Sequence, residues 1–262
     1  MKLKIPKYIF GNPVEGALER ALADVQSPPQ NPPQGDSPAG IQVFNDYWSI
    51  TGVQYKGDFY VIDLSKSLLE NGAVKTQDEW ADLYSSAKSN NGFHTPDYPL
   101  FYGILRTLYA ERNNSKYAAE IAKTQKFLKD TSRARWLMNL SRIKYQPKGK
   151  GDDIIMHNYG TPDEYQRACD FIGNDEWVKD TTTPIVYSNL LVSSDSPQQI
   201  NNVFQWLNDT DAYLCRVNSR SKKKVDERVV WFYADSGRAV LNCYWDPSYS
   251  NSSLGVRVAR KI

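Results

Sequence analysis

The C-terminal part of the chain alternates between two kinds of sequence, and this alternation restricts the fold more than any other feature. Short apolar, β-prone runs occupy 229–232, 239–241 and 254–259. Tyr, Trp, Ser, Asn and Asp fill the segments between them. Tyr and Trp give rigid contact area at low entropic cost, and Ser and Asn give adaptable hydrogen bonds. The pattern predicts a stiff β frame that presents a binding surface.

The predicted surface consists of ten polar or aromatic residues. Alternation along a strand predicted over 238–244 places Asn242 and Tyr244 on one face. The members of the predicted surface are Tyr233, Asp235, Ser236, Asn242, Tyr244, Asp246, Tyr249, Ser250, Asn251 and Ser252.

Two tryptophans lie beside these residues in the sequence, and part of the predicted surface has an alternative interpretation. Trp231 is predicted to be a core residue, whereas Trp245 fits the core and an exposed anchor equally well. Pro, Ser, Asn and Asp are also ordinary turn formers, so the alternative for 246–253 is a plain polar loop.

The composition indicates a folded protein with balanced charge. Hydrophobic residues make up 40% of the 262 positions and aromatic residues 13%, which excludes an intrinsically disordered chain. The net charge of +2 argues against nucleic acid or an anionic membrane as the main partner. The only basic cluster, at 221–224, is predicted to be a solvated hairpin tip.

The cysteines and histidines do not form a metal-binding pattern. Cys169, Cys215 and Cys243 are widely separated and odd in number, which predicts buried free thiols, with a disulfide between Cys215 and Cys243 as the alternative. His94 and His157 lack the spacing of zinc motifs. The glycines match neither a dinucleotide-binding nor a phosphate-binding loop. We therefore expect no metal, no cofactor and no catalytic residue.

Residues 1–145 are predicted to form a mixed helical and strand region of unknown role, which ends at a Gly/Pro linker over 146–151. A proline-rich loop over 27–40 interrupts it. The predicted elements of this region are helices at 12–25, 76–87, 100–112 and 116–129 and strands at 41–43, 48–54 and 59–63.

Residues 146–262 are predicted to form a separate α+β domain with two helices packed on a twisted antiparallel sheet. The final strand is expected to pair with the strand near Ile154 and close the domain. The predicted elements are strands at 153–157, 184–192, 212–217, 228–233, 238–244 and 254–260 and helices at 161–172 and 196–207.

The second half resembles the C-type lectin fold. The ending Gly255-Val256-Arg257-Val258 is similar to that of the branch shared with formylglycine-generating enzymes. The interleaved tail as a whole resembles the variable proteins of diversity-generating retroelements, in which adenines of a template repeat are rewritten into codons for Tyr, Ser, Asp and Asn. This resemblance implies a diversified ligand-binding surface on a fixed frame.

The chain also departs from related families. The Glu-Pro-Asn, Gln-Pro-Asp and Trp-Asn-Asp motifs of calcium-dependent lectins do not occur, and the segment 244–247 does not replace them. A calcium-bridged sugar site is therefore not expected. The closely spaced cysteine pair of formylglycine-generating enzymes is also absent.

The sequence thus predicts a non-enzymatic protein that binds a macromolecular ligand, a protein, by a calcium-independent mode. The alternative is a structural or assembly role, such as a viral or cell-surface fibre component without a variable site. The N-terminus does not match a signal peptide and no apolar run reaches membrane-spanning length. A soluble protein, or one displayed on a surface or virion by an unconventional route, is expected.

Overall fold

The structure is a computed structural model that describes residues 8–9, 12–13, 39–85, 92–217 and 225–262. The chain divides into two compact units, Met1–Ser37 and Pro38–Ile262. In the first unit, β1 (Tyr8–Ile9) pairs antiparallel with β2 (Asn12–Pro13). The helix predicted over 12–25 is therefore wrong at its start, and its remainder lies outside the described residues, as does the basic cluster at 221–224.

The second unit begins with an antiparallel meander of three strands, β3 (Gly40–Val43), β4 (Tyr47–Tyr55) and β5 (Asp58–Leu68). All three occur where the sequence predicts them. Lys56 and Gly57 form the turn between β4 and β5, and both have positive φ angles, 51° and 85°. Such turns match the twist of the two strands that they connect.

Three helices follow at the predicted places: α1 (Gln77–Ser85), α2 (Tyr98–Glu111) and α3 (Ala118–Ala134). The predicted capping box of α1 is present, since the Glu79 backbone N–H donates to Thr76 Oγ1 at 3.3 Å and the Thr76 N–H donates to Glu79 Oε2 at 2.7 Å. Asp97 caps α2 by accepting from the Leu100 N–H at 2.9 Å. Local capping signals thus predicted these starts correctly.

The rest of the unit contains eight further strands and two further helices among the described residues. They are β6 (Leu137–Tyr145), β7 (Ile154–His157), β8 (Tyr165–Ala168), β9 (Glu176–Trp177), α4 (Pro184–Leu191), α5 (Pro197–Asn208), β10 (Ala212–Cys215), β11 (Asp226–Ala234), β12 (Ala239–Trp245) and β13 (Ser252–Lys261), together with a short 3₁₀ turn at Val178–Asp180.

Two predicted elements in this part are wrong. The helix predicted over 161–172 is a turn followed by β8, because the Thr161 hydroxyl donates to Asn158 O at 2.9 Å and accepts from the Asp163 N–H at 3.2 Å, which closes a local turn. The strand predicted over 184–192 is the helix α4. A short apolar run does not distinguish a buried strand from a helix, and Pro184 stands at the first helical position.

The sheet order shows how the unit closes. The strands run β3-β4-β5-β13-β6-β11-β12-β10-β9, with β7 and β8 added beside β6. The final strand, β13, pairs antiparallel with β5, and only Ser252 and Ser253 pair, in parallel, with β6. The predicted pairing of the last strand with the strand near Ile154 is therefore wrong, because β7 pairs with β6 and β8.

The hydrophobic core connects the two halves of this unit. One cluster of buried side chains extends from Ile41 to Val256 and includes residues of α2, α3, α4 and α5. The domain boundary predicted at 145/146 consequently falls inside the compact unit Pro38–Ile262. The α+β class is confirmed. The sheet is mixed, however, because β10 and β12 are parallel.

Candidate functional site

The ten residues of the predicted surface differ in exposure. Asn242 and Ser252 are buried, with 5% and 1% of their surface exposed, so their assignment to an accessible surface is wrong. Tyr233, Asp235 and Asn251 are half-buried. The remaining five are exposed: Ser236, Tyr244, Asp246, Tyr249 and Ser250.

A bulge explains why simple alternation fails for Asn242 and Tyr244. In the pairing of β11 with β12, Val229 lies opposite Trp245 and Trp231 lies opposite Asn242, so β12 has one residue more than β11 over this stretch. Tyr244 is consequently 54% exposed, whereas Asn242 is buried. The Asn242 Oδ1 accepts from the Tyr244 N–H at 3.0 Å, so this side chain supports its own strand.

The exposed loop between β12 and β13 is fixed at its C-terminal end. The Asn251 N–H donates to Lys75 O at 2.9 Å, and the Asn251 carbonyl accepts from Trp80 Nε1 at 2.8 Å. The Ser252 hydroxyl donates to Gly72 O at 3.0 Å and accepts from Arg135 Nη1 at 3.1 Å. These two residues anchor the loop 246–250 to the segment 72–80.

Two aspartates of the predicted surface stabilise turns. The Asp235 Oδ1 accepts from the N–H groups of Gly237 and Arg238 at 2.7 and 2.9 Å. The Asp246 Oδ1 accepts from the Ser248 N–H at 2.9 Å, and this bond lowers the pKa of the Asp246 carboxyl. Both are side-chain-to-backbone bonds of the kind that fixes turns.

Five aromatic side chains lie together beneath and beside this loop, and we call them the aromatic cluster. Trp136 stacks on Tyr233 with ring centroids 4.5 Å apart, and Trp231 stacks on Trp245 at 5.3 Å. Trp136 also meets Trp245 edge-on at 6.0 Å. Tyr249 completes the cluster and lies edge-on to Trp245 at 4.9 Å.

The aromatic cluster rests on a small hydrophobic core of its own. Trp231 is 2% exposed, which confirms its predicted place in the core, and its Nε1 donates to Met138 Sδ at 2.9 Å. Trp245 and Trp136 are half-buried and pack against the same group of buried side chains. The cluster therefore joins a buried floor to two exposed rings, Tyr249 and the neighbouring Tyr244.

Sequence reasoning missed one member of the site. Trp136 lies directly before β6, more than ninety residues from Tyr233 and Trp231 in sequence, and contacts both rings. Its only sequence signal was its position in an apolar stretch. β6 brings it to the cluster, because β6 pairs with β11 and places Leu137 opposite Phe232.

The histidines and thiols lie in surroundings that suppress their reactivity. His157 is buried, its Nδ1 lies 2.9 Å from Ser141 Oγ and its Nε2 lies 3.0 Å from Asn189 O. Burial lowers the pKa of His157 to about 3 and that of His94 to about 4, so both rings are neutral at pH 7. Burial raises the pKa of the Cys215 thiol to about 11 and that of Cys243 further. All three cysteines are free, and the alternative of a Cys215–Cys243 disulfide is not realised.

The described part of the chain contains neither a metal-ligand cluster nor a membrane-spanning helix. No group of three His, Cys, Asp or Glu side chains there could hold a metal ion. None of the helices that the structure describes is long and apolar enough to cross a membrane.

No protein-family model and no curated protein matches this chain. One solved structure is similar, a protein described as "Accommodation of massive sequence variation in Nanoarchaeota by the C-type lectin fold". The similarity covers 72% of this chain and 99% of that chain, with 9% sequence identity and a TM-score of 0.33.

Proposed function

We propose that this chain is a non-enzymatic protein that binds a macromolecular ligand, a protein, through Tyr244, Tyr249 and the polar residues beside them. The observation that carries the proposal is the aromatic cluster. Two tyrosine rings lie edge-on to the half-buried Trp245 ring and are largely accessible: Tyr244 is 54% exposed and Tyr249 is 52% exposed. Tyrosine and tryptophan side chains dominate the energetics of protein interfaces.

The rigidity of this surface supports a binding role. The loop 246–250 is held at one end by Trp245 in the aromatic cluster and at the other by the bonds of Asn251 and Ser252. A side chain that is already ordered loses little entropy when a ligand binds, so its contacts contribute more to affinity. A preorganised loop of this kind suits recognition.

We also propose that the fold is C-type-lectin-like. The final strand, β13, lies antiparallel to β5, an early strand of the compact unit, and α2 and α3 lie between them in sequence. Strands β6, β11 and β12 form the adjoining part of the sheet, and the segment between β12 and β13 carries the exposed tyrosines. Closure of the sheet by the last strand and helices packed on the sheet are both predicted for the part of the chain that resembles this fold, although the partner of the last strand is β5 and not the strand near Ile154.

Diversification of the surface by a retroelement is part of the same proposal. Five positions of the predicted surface are exposed: Ser236, Tyr244, Asp246, Tyr249 and Ser250. Asp246 fixes a turn and Tyr249 contacts the rings of Trp245 and Trp231, so changes at the other three positions disturb the frame least. Surface substitutions of this kind usually change stability by about 0.5 kcal/mol or less. Asn242 and Ser252 belong to the frame, because they are buried and hydrogen-bonded.

A non-enzymatic role is supported by the state of the titratable groups near the core. The thiols of Cys215 and Cys243 have raised pKa values, and a thiol acts as a nucleophile only when ionised. We propose display on a cell surface or virion as the setting for such a binder.

A display library tests the binding role. In the library, positions 236, 244, 249 and 250 are randomised, and the displayed chains are selected against several folded proteins. A control library of equal size randomises four exposed helical positions, Ala122, Lys123, Lys126 and Asp130. We expect binders from the first library only. Binders in neither library, or equally in both, would refute the assignment of this surface.

The DNA that flanks the gene tests diversification separately. We expect a near-copy of the 3′ end that differs at adenines, with mismatches in the codons of the five exposed positions. The absence of such a repeat and of a reverse transcriptase gene would remove the diversification proposal. Self-association through Tyr244 and Tyr249 would then favour a structural role.

A further inference from the structure

A second concave surface of the compact unit shares no residue with the aromatic cluster. It is a cleft of about 290 Å³ between the β4–β5 turn, the first half of α2, β8 and the end of α4. Its walls carry three cationic side chains, Lys56, Arg106 and Arg167, and the polar residues Gln54, Ser193 and Ser194. This volume is close to the lower limit for small-molecule pockets.

Close packing of β4 on α2 builds the first wall. Gly103 of α2 faces the backbone of β4, and a Cβ at this position would lie only 2.6 Å from Gln54 O. Glycine therefore allows the strand to approach the helix, which brings the turn at Lys56 and Gly57 beside α2. Lys56 has a left-handed backbone, with φ at 51°.

The end of α4 forms the opposite wall and is strained. Val192 has φ 47° and ψ 49°, a left-handed conformation that is rare for a β-branched residue. Asp209 is also left-handed, but its N–H bonds back to Gln205 O at 2.8 Å at the end of α5. The Val192 N–H makes no such bond to a described residue. Strained residues of this kind cluster at ligand-binding sites.

The cations of the cleft differ in their partners. Arg106 is neutralised, because its Nε lies 2.9 Å from Asp195 Oδ2, and it also donates to Gln54 Oε1. The Arg167 side chain is exposed, and its guanidinium makes no hydrogen bond or ion pair within the described part of the chain. Lys56 Nζ lies 4.1 Å from the centre of the Tyr165 ring and reaches only a backbone carbonyl, at 3.4 Å.

Two carboxylates lie near Lys56, those of Asp97 and Asp163, but neither forms an ion pair with it. The Asp97 carboxylate accepts from Tyr55 Oη at 2.8 Å, and the Asp163 carboxylate accepts from Tyr84 Oη at 2.8 Å. Partial burial lowers the pKa of the Lys56 ammonium. The cleft therefore contains two positive charges, those of Lys56 and Arg167, that lack a carboxylate partner among the described residues.

We propose that this cleft binds a small phosphate monoester. Arg167 and Lys56 would hold the phosphate oxygens, because guanidinium groups bind phosphate in a bidentate manner and ammonium groups bind it as point charges. Two cations match the charge of a phosphate dianion. The remaining volume and the polar side chains of Gln54, Ser193 and Ser194 suit a hydroxylated organic portion.

Calorimetric titration of the full chain with glycerol 3-phosphate at physiological ionic strength tests this proposal. We expect one binding site, and a Kd that rises about tenfold or more in Arg167→Gln and in Lys56→Gln, which is about 1.4 kcal/mol for each tenfold change. Lys123→Gln removes an exposed lysine charge from α3 and serves as the matched control, with an unchanged Kd. Arg167→Lys should recover part of the affinity.

Several results would overturn the proposal. They are no heat of binding up to millimolar ligand, an unchanged Kd in both cleft variants, or an equal loss of affinity in Lys123→Gln. Citrate and inorganic phosphate serve as competitors, and citrate that binds as tightly as the monoester would assign the cleft to carboxylates instead. Melting curves of each variant confirm that it is folded. Substitution of Tyr244 and Tyr249 should leave the Kd unchanged, so this test is independent of the proposed function.

Discussion

The aromatic surface, which consists of the aromatic cluster, Tyr244 and the loop 246–250, differs in construction from the cationic cleft lined by Lys56, Arg106 and Arg167. Most of the aromatic surface comes from one C-terminal stretch, 231–252, and, of the five rings of the aromatic cluster, that of Trp136 comes from elsewhere in the chain. The cleft is assembled from the β4–β5 turn, α2, β8 and the end of α4. A surface that is continuous in sequence leaves a compositional signal, whereas one assembled from distant segments does not. This difference explains why the sequence indicated the first surface and not the second.

The largest expected effect concerns the floor of the aromatic surface. Trp231→Ala removes a large side chain that is 2% exposed and stacked on Trp245. We expect the free energy of unfolding to fall by about 3–5 kcal/mol, because substitution of a buried Trp by Ala leaves a cavity. Urea denaturation measures the change. A loss below that of Tyr244→Ala would show that the floor is not part of the frame.

The next expected effect concerns the wall of the cleft. Gly103→Ala places a Cβ against Gln54 O, so the strand or the helix must move. We expect a loss of about 1–3 kcal/mol, as for other overpacked sites. Glycerol 3-phosphate should bind this variant more weakly, whereas the aromatic surface should keep its ligand. Unchanged stability would mean that β4 does not pack as closely on α2 as the structure shows.

A change of pH is expected to change the free energy of unfolding through the buried groups His157, His94 and Asp97. His157 has a pKa near 3 in the folded chain and an ordinary value of 6.5 when unfolded, so the unfolded chain binds more protons between these values. The contribution of the neutral His157 ring to stability is therefore fully present above about pH 6.5 and is lost as the pH falls below this value. Asp97 acts in the opposite direction, because burial raises its pKa to about 6.

From pH 7.5 to pH 5.5 we expect a net loss of about 1–2 kcal/mol, with His94 acting in the same direction as His157. Urea unfolding at the two pH values measures it, and His157→Gln should flatten the dependence. A chain that is more stable at pH 5.5 would show that Asp97 outweighs both histidines.

A smaller effect is expected at the anchor of the loop. Ser252→Ala removes a buried hydroxyl that bonds Gly72 O and Arg135. The expected loss is about 1 kcal/mol, the usual contribution of one hydrogen bond. Amide hydrogen exchange in 246–251 should also become faster. If neither stability nor exchange changes, the loop is held by the aromatic cluster alone.

The smallest expected effect separates the surface from its frame. Tyr244→Ser replaces a ring that is 54% exposed at the end of β12. We expect the free energy of unfolding, measured by urea denaturation, to change by no more than about 0.5 kcal/mol. A ligand selected on this surface should lose most of its affinity. A large loss of stability would place Tyr244 in the core and remove it from the proposed site.

The sequence by itself determined most elements that have strong local signals. Capping residues and hydrophobic periodicity predicted α1, α2, α3 and α5, and short apolar, β-prone runs predicted β3, β4, β5 and the strands near the C-terminus. These signals act within one or two turns of the chain and need no tertiary partner. The same locality misled at Thr161, where a capping motif closes a turn and β8 follows in pairing with β7.

Only the tertiary structure decided which strands pair, which polar residues are buried and where the cleft lies. The partner of β13 is β5, almost two hundred residues earlier, and no local pattern specifies that choice. The burial of Asn242 depends on a bulge in β12, and that of Ser252 on contacts with Gly72 and Arg135. Several strand pairings would satisfy the local sequence patterns equally well. The pairing that forms is the one that buries the hydrophobic face of each strand, and this depends on residues that are far apart in sequence.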